Sequence, residues 1–152
     1  CGWGEGWDES RGRAGAGVGA EMLGVGSQAF AMTLDYLKTR KQFGAVIGSF
    51  QALGHRAAEL FAAMELARSC GEAALQEIDA QSNSVAKACS LSKAKVGDFL
   101  HTMSNQLIQI HGGIGMTDEF DAGLYLKRAR VLETLYGNQS YHRDRYARLL
   151  GF

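Results

Sequence analysis

Not one proline interrupts these 152 residues. Proline breaks helix interiors and marks many turns, so its absence, with no strict polar–apolar alternation, favours long helices over sheet. The apolar residues agree. Met22, Val25, Ala29, Met32 and Tyr36 recur at steps of three and four, and Leu23, Phe30, Leu34 and Leu37 add a second stripe to the same segment. A helix apolar around so much of its circumference is usually buried between neighbours.

Ser49 precedes a second run in which Leu53, Ala57, Leu60, Met64, Ala67, Ala74, Leu75 and Ile78 keep helical spacing to about Asp79. Gln81, Ser82, Asn83 and Ser84 read as a turn with a cap for a third helix. In that helix Val96, Phe99, Met103, Leu107 and Ile110 lead to a stop at Gly112 and Gly113. A fourth helix is expected from Thr117 or Asp118 to about Gly137, with Phe120, Leu124, Val131 and Leu135 inward, and a short one from Ser140 to Leu149. The expected fold class is therefore all-α, an antiparallel four-helix bundle with a short extra C-terminal helix. Residues 1–19 hold seven glycines and no apolar period, which predicts an irregular glycine-rich leader before a helical domain over 20–152. The chain opens at Cys1 instead of methionine, which reads as a fragment.

Charge narrows the function. Sixteen basic residues balance sixteen acidic ones, so no overall field draws the chain to nucleic acid or an anionic membrane, and any anionic ligand must be met by local groups. No stretch approaches the roughly 20 apolar residues of a membrane span, so no membrane insertion is expected. Cys1, Cys70 and Cys89 are odd in number and far apart, which suggests neither a disulfide framework nor zinc-ligand spacing. With no signal peptide at the start, a cytoplasmic location is the expectation. His55, His101, His111 and His142 lack the paired spacing of a helical metal motif, so no metal site is expected. Lys127, Arg128 and Arg130 read as a solvated face or a surface for an acidic partner.

Two segments combine chemistry with a bend. Thr39-Arg40-Lys41-Gln42-Phe43-Gly44 closes the first helix and Ile47-Gly48-Ser49-Phe50-Gln51-Ala52 opens the second. Cations in a last helical turn complement the helix dipole and Gly44 is a natural stop, so capping accounts for much of the pattern. The same bend also gathers a guanidinium, an amide and an aromatic ring, a set suited to a phosphate beside a flat ring. Gln109-Ile110-His111-Gly112-Gly113-Ile114-Gly115 is either a plain helix stop or a backbone opened by glycine for close approach to a ligand.

Taken together, Arg40-Lys41-Gln42-Phe43-Gly44, Ser49-Phe50-Gln51-Ala52 and Gln109 to Gly115 at these separations resemble the acyl-CoA dehydrogenase family over about residues 20–150. The resemblance implies the C-terminal helical domain of an enzyme that uses FAD to dehydrogenate an acyl-CoA thioester between its α and β carbons. It implies acyl-CoA as substrate and a second subunit sharing the FAD site, in a homodimer, a tetramer or with a homologous partner subunit. Arg40 would face the FAD pyrophosphate with Gln42 and Phe43 beside it. Ile47, Phe50, Gln51 and Leu53 would line the cofactor further along. Gln109, Ile110, His111, Gly112 and Gly113 would pack on its adenosine and pyrophosphate end.

The family's reaction needs a carboxylate as base. Its two usual positions fall here on Tyr136, before Gly137, and on Ala14, next to Gly15 with Arg11 and Arg13 nearby. Neither is an acid, so the catalytic residue is unknown and this chain alone is expected to be inactive. Glu133 and Glu21 are the nearest substitutes. The alternative reading is a non-catalytic partner subunit, or a structural helical domain, that lacks the catalytic carboxylate.

Overall fold

The computed structural model describes residues 3–152, with side chains described at Ser10 and from Gly12 onward. Cys1, Gly2 and the side chain of Arg11 lie outside the described residues. Five helices carry the fold: α1 (Trp3–Thr39), α2 (Gln51–Asp79), α3 (Val85–His111), α4 (Ala122–Thr134) and α5 (Gln139–Leu150). A two-residue β-ladder, β1 (Lys41–Gln42) with β2 (Ala45–Val46), and a 3₁₀ turn (Ile47–Ser49) join α1 to α2. A second 3₁₀ turn (Gly112–Met116) follows α3.

Successive long helices run antiparallel. Phe30 meets Phe61 with ring centroids 6.2 Å apart, while Leu23 lies beside Gly71, so α2 descends as α1 rises. Arg56 bonds Gln106 at 3.3 Å and Gly71 lies beside Ser92, which reverses α3 against α2. Arg130 bonds Asn105 at 2.6 Å and Lys93 reaches Leu132, which reverses α4 against α3. Consequently α1 and α3 are parallel and touch directly, Gly12 beside Cys89, Gly19 beside Ser92 and Gly26 against Phe99. The short α5 lies across α3 through Arg143–Asp98 and Arg145–Ser90.

The core collects on α3, where Val96, Leu100, Met103 and Leu107 are fully buried against Met22 of α1 and Leu132 of α4. Each such side chain contributes about 1.5–3 kcal/mol by leaving water. Polar side chains are buried among them, two with local bonds: the Thr33 hydroxyl donates to the Ala29 carbonyl at 2.8 Å and the Ser104 hydroxyl to the His101 carbonyl at 3.0 Å. Lys93 and His111 are buried as well.

Four expectations change. The segment expected as an irregular leader is helical from Trp3, continuous with α1. Glycine costs about 1 kcal/mol in a helix interior, but Gly12, Gly15, Ala16 and Gly19 form the buried face, and their small size lets α1 approach α3 closely. Gly44 does not end the first helix, which stops at Thr39; it belongs to the hairpin. The fourth helix begins at Ala122, later than expected, and Leu124, Val131 and Leu135 are 63%, 49% and 40% exposed instead of inward. Its buried register is Ala122, Ala129, Leu132 and Glu133. Counting apolar residues favours the leucine stripe, whereas the two alanines sit where α4 crosses close to its neighbours. Ser84 likewise accepts no capping bond; its N–H donates to the Ser82 hydroxyl at 2.9 Å instead.

Candidate functional site

The two segments singled out by sequence meet at one end of the bundle. After Thr39 the chain turns back in a hairpin, Lys41 opposite Val46 and Gln42 opposite Ala45. The connecting pair, Phe43 and Gly44, both have positive φ (54° and 78°), the backbone that the commonest tight hairpin turns require. Phe43 is thereby lifted to 92% exposure, with Phe50 edge-on at a centroid distance of 6.3 Å. The Arg40 backbone is pinned by its N–H to the Tyr36 carbonyl and its C=O to the Ile47 N–H, both at 2.9 Å. Its guanidinium has no ion-pair partner among the described residues.

Across from this hairpin, α3 ends where Gly112 takes φ 63°. A Cβ at Gly112 or Gly113 would meet nothing within 4 Å, so the backbone here borders open space. His111 stands behind it, 3% exposed, its ring between Tyr36 (4.2 Å) and Phe120 (4.4 Å). Its Nδ1–H donates to the Leu107 carbonyl at 2.7 Å, and burial holds its pKa below the usual imidazole value. The ring is therefore neutral near pH 7 and acts as a wedge, with Nε2 buried and unbonded. The Tyr36 hydroxyl donates to the His111 carbonyl at 3.3 Å and ties α1 to this turn.

Between hairpin and turn lies a cavity of about 450 Å³. Arg40, Gln42, Phe43, Ile47, Phe50, Leu53, Gln109, Ile110, His111, Gly112 and Gly113 all line it. Gln51 alone of the residues expected at a cofactor does not; it is exposed on the first turn of α2. Tyr36 and Ile114 line the cavity as well and were missed. Tyr36 sits one helical turn before Arg40, a signal hidden because its spacing also fitted the apolar face of α1.

The two positions where a base was sought lie toward the other end. Tyr136 and Gly137 form the corner between α4 and α5, with positive φ of 58° and 107°. The Gly137 carbonyl accepts from Lys93, whereas Ala14 is near the level where Gly12 meets Cys89. Lys93 and His111 are 18 residues apart on α3, about 27 Å along the axis. The corner and the cavity thus face different regions of space.

Both substitute carboxylates are ion-paired. Glu21 pairs with Arg128 at 2.5 Å, joining α1 to α4. Glu133 is buried and pairs with Arg130 at 2.5 Å, while its other oxygen faces His101 Nδ1 at 3.1 Å. That nitrogen also faces the Arg130 guanidinium at 2.9 Å. One ring nitrogen cannot accept from Arg130 and donate to Glu133 at once, so the Arg130–Glu133 pair is the bond that holds in either tautomer. Of the basic run, Arg128 and Arg130 are therefore engaged within the fold. Among the described residues, no group of His, Cys, Asp and Glu is placed to hold a metal ion, and no helix is long and apolar enough to cross a membrane.

Comparison with known proteins gives the family and the fold. Residues 10–151 match the family model "Acyl-CoA dehydrogenase, C-terminal domain", a match that begins inside the glycine-rich stretch. The chain belongs to that family. Over 120 residues it is 38% identical to acyl-CoA dehydrogenase IpdE2 of Mycolicibacterium smegmatis, covering 79% of this chain and 37% of that protein. Among solved structures it is similar to the Tcur3481-Tcur3483 steroid ACAD (28% identity, TM-score 0.86, 90% of this chain and 38% of that one). It is also similar to PigA with FAD and proline (25% identity, TM-score 0.87, 93% and 37%). The chain thus spans a little over a third of the length of these relatives.

Proposed function

We propose that this chain is the FAD-contacting, oligomer-forming C-terminal part of an acyl-CoA dehydrogenase-like flavoprotein that desaturates an acyl-CoA thioester. The observation that carries the proposal is the 450 Å³ cavity, where a guanidinium with no ion-pair partner among the described residues, two exposed aromatic rings and an open glycine backbone converge. The residues fit the cofactor. Arg40 offers a forked donor set to a pyrophosphate, Phe43 and Phe50 offer faces to a flat ring, and Gly112–Gly113 let the backbone approach without a Cβ in the way. A cleft of this volume encloses one end of a dinucleotide, so the remainder of FAD must rest on protein outside this chain's bundle. When bound, FAD would supply the hydride acceptor.

The distance between the cavity and the Tyr136 corner supports a shared site. The cavity serves the FAD of a second subunit, while the corner faces the acyl group at the chain's own flavin. The free thiols of Cys70 and Cys89 accord with a reducing, cytosolic setting. A second reading is favoured by a specific observation: both base positions hold non-acids, and Glu21 and Glu133 are committed to ion pairs. On that reading the chain completes the FAD site of a partner subunit that carries the base.

Arg40→Ala in the complete protein tests the assignment. Loss of a charge partner that becomes buried on binding should weaken FAD retention by about 2–5 kcal/mol. Arg40→Lys should fall between, because a single ammonium lacks the fork. An unchanged flavin dissociation constant in Arg40→Ala would remove Arg40 from the site.

A further inference from the structure

Lys93 is fully enclosed in the protein, 2% exposed, yet it makes no salt bridge among the described residues. Its ammonium donates instead to three backbone carbonyls, Leu132 at 3.1 Å, Glu133 at 3.3 Å and Gly137 at 3.2 Å. The first two are orphan acceptors of the last turn of α4, and the third lies beyond the turn. Only an ammonium carries three divergent N–H donors on one atom, and a cation at a helix C-terminus is also favoured by the helix dipole. The Glu133 carboxylate, the nearest opposite charge, is turned to Arg130 and His101, so the carbonyl dipoles are what Lys93 contacts directly.

These bonds surround a strained stretch. Tyr136 is not glycine, yet it holds φ 58°, and Gly137 follows at φ 107°. Such a backbone persists only where its surroundings over-determine it. The His142 ring donates from Nε2 to the Tyr136 carbonyl at 3.1 Å, and the Asn138 side chain accepts from the Tyr141 N–H at 2.9 Å to cap α5. The Gly137 N–H donates to the Thr134 carbonyl at 3.2 Å, and Lys93 adds contacts from a different helix on both sides of Tyr136. The Tyr136 side chain is left 46% exposed, presented outward from a fixed backbone.

We infer that Lys93 is a positioning residue: by gathering the carbonyls on both sides of Tyr136 it fixes the direction in which the side chain at that position faces a ligand. The inference rests on the proposed function only for what lies opposite the corner, the acyl group. The clamp itself stands on the bonds above.

The test uses this chain without flavin, so its outcome is independent of the Arg40 assignment. Lys93→Met removes all three donors at nearly constant length, and Lys93→Gln retains two. In the Met variant the Leu135 and Gly137 amides, which donate to the Val131 and Thr134 carbonyls at 3.3 and 3.2 Å, should exchange at least tenfold faster relative to those of Phe30 and Met64. The Tyr136 Hα shift, which reports φ, should move toward a coil average, and Lys93→Gln should lie between wild type and Met. A lysine that merely stabilised the fold would lower the urea midpoint while leaving the native Tyr136 shift in place, and that result overturns the inference. Should the Met variant fail to fold, the Gln variant decides alone: a displaced Tyr136 shift supports the clamp, and a wild-type shift refutes it.

Discussion

Gly17→Ala is expected to stabilise the protein. Gly17 is exposed on α1, a Cβ there would meet nothing within 4 Å, and its φ is not in the left-handed region. Exchanging glycine for alanine in a helix interior is worth about 0.8–1 kcal/mol, which for a domain of this size raises Tm by about 2–4 °C. Gly26→Ala, on the same helix, should do the opposite. Its Cβ would stand 2.5 Å from Phe99 Cε1 and 3.1 Å from Cζ, and Phe99 is 2% exposed in the core, so the ring would have to shift. Overpacking of that kind costs about 1–3 kcal/mol, so after the helical gain the net change is a loss of up to about 2 kcal/mol. Far-UV circular dichroism melts of the wild type and both variants measure the pair. A neutral or destabilising Gly17→Ala would mean that the glycine-rich segment is not helical in solution. A stabilising Gly26→Ala would mean that α1 does not pack on α3 as described.

Two further outcomes follow from buried charge and from the corner. Burial holds the Lys93 pKa at about 8 against the ordinary 10.5, with Glu133 opposing the shift. Between those values the unfolded chain binds a proton that the folded chain does not, so this group makes stability rise with pH across that window. At 1.36 kcal/mol per pH unit the gain is at most about 3 kcal/mol. Burial also raises the Cys70 and Cys89 thiols, which act in the opposite sense, so the slope of urea midpoint against pH across the window should be more positive in wild type than in Lys93→Gln; equal slopes would refute it. In the complete protein, Tyr136→Glu should restore flavin bleaching by an acyl-CoA if the base belongs at the corner, whereas Ala14→Glu should do so if it belongs on α1. Rapid bleaching by the unmodified protein would show that a base exists elsewhere.

Much of the fold was legible because α3 advertises itself. Val96, Phe99, Met103, Leu107 and Ile110 sit on one face in the sequence and are all buried in the structure. The cavity was legible for a different reason: bends need glycine and helix ends need caps, so Phe43-Gly44 and Gly112-Gly113 marked both of its walls. What failed were inferences from residue type without packing. Glycine in 1–19 was read as flexibility, yet Gly12, Gly15 and Gly19 repeat with Ala16 at the same steps as the later apolar residues. The stripe of small residues was visible, although a period made of glycine carries little hydrophobic signal. Leu124, Val131 and Leu135 point away from the core because hydrophobicity cannot tell a core face from a face awaiting a partner. Lys93 was missed since a lysine on a buried face is rare, and its three acceptors lie some forty residues on in the chain.

The central claim, that the cavity beside Arg40 holds one end of FAD, is tested most directly by titrating FAD into the ¹⁵N-labelled chain and mapping amide shifts. The account predicts weak binding, with the largest changes at Arg40, Phe43, Gly112 and Gly113 and none at Tyr136 or Gly137. Shifts centred on the α4–α5 corner, or none anywhere at saturating FAD, would contradict it.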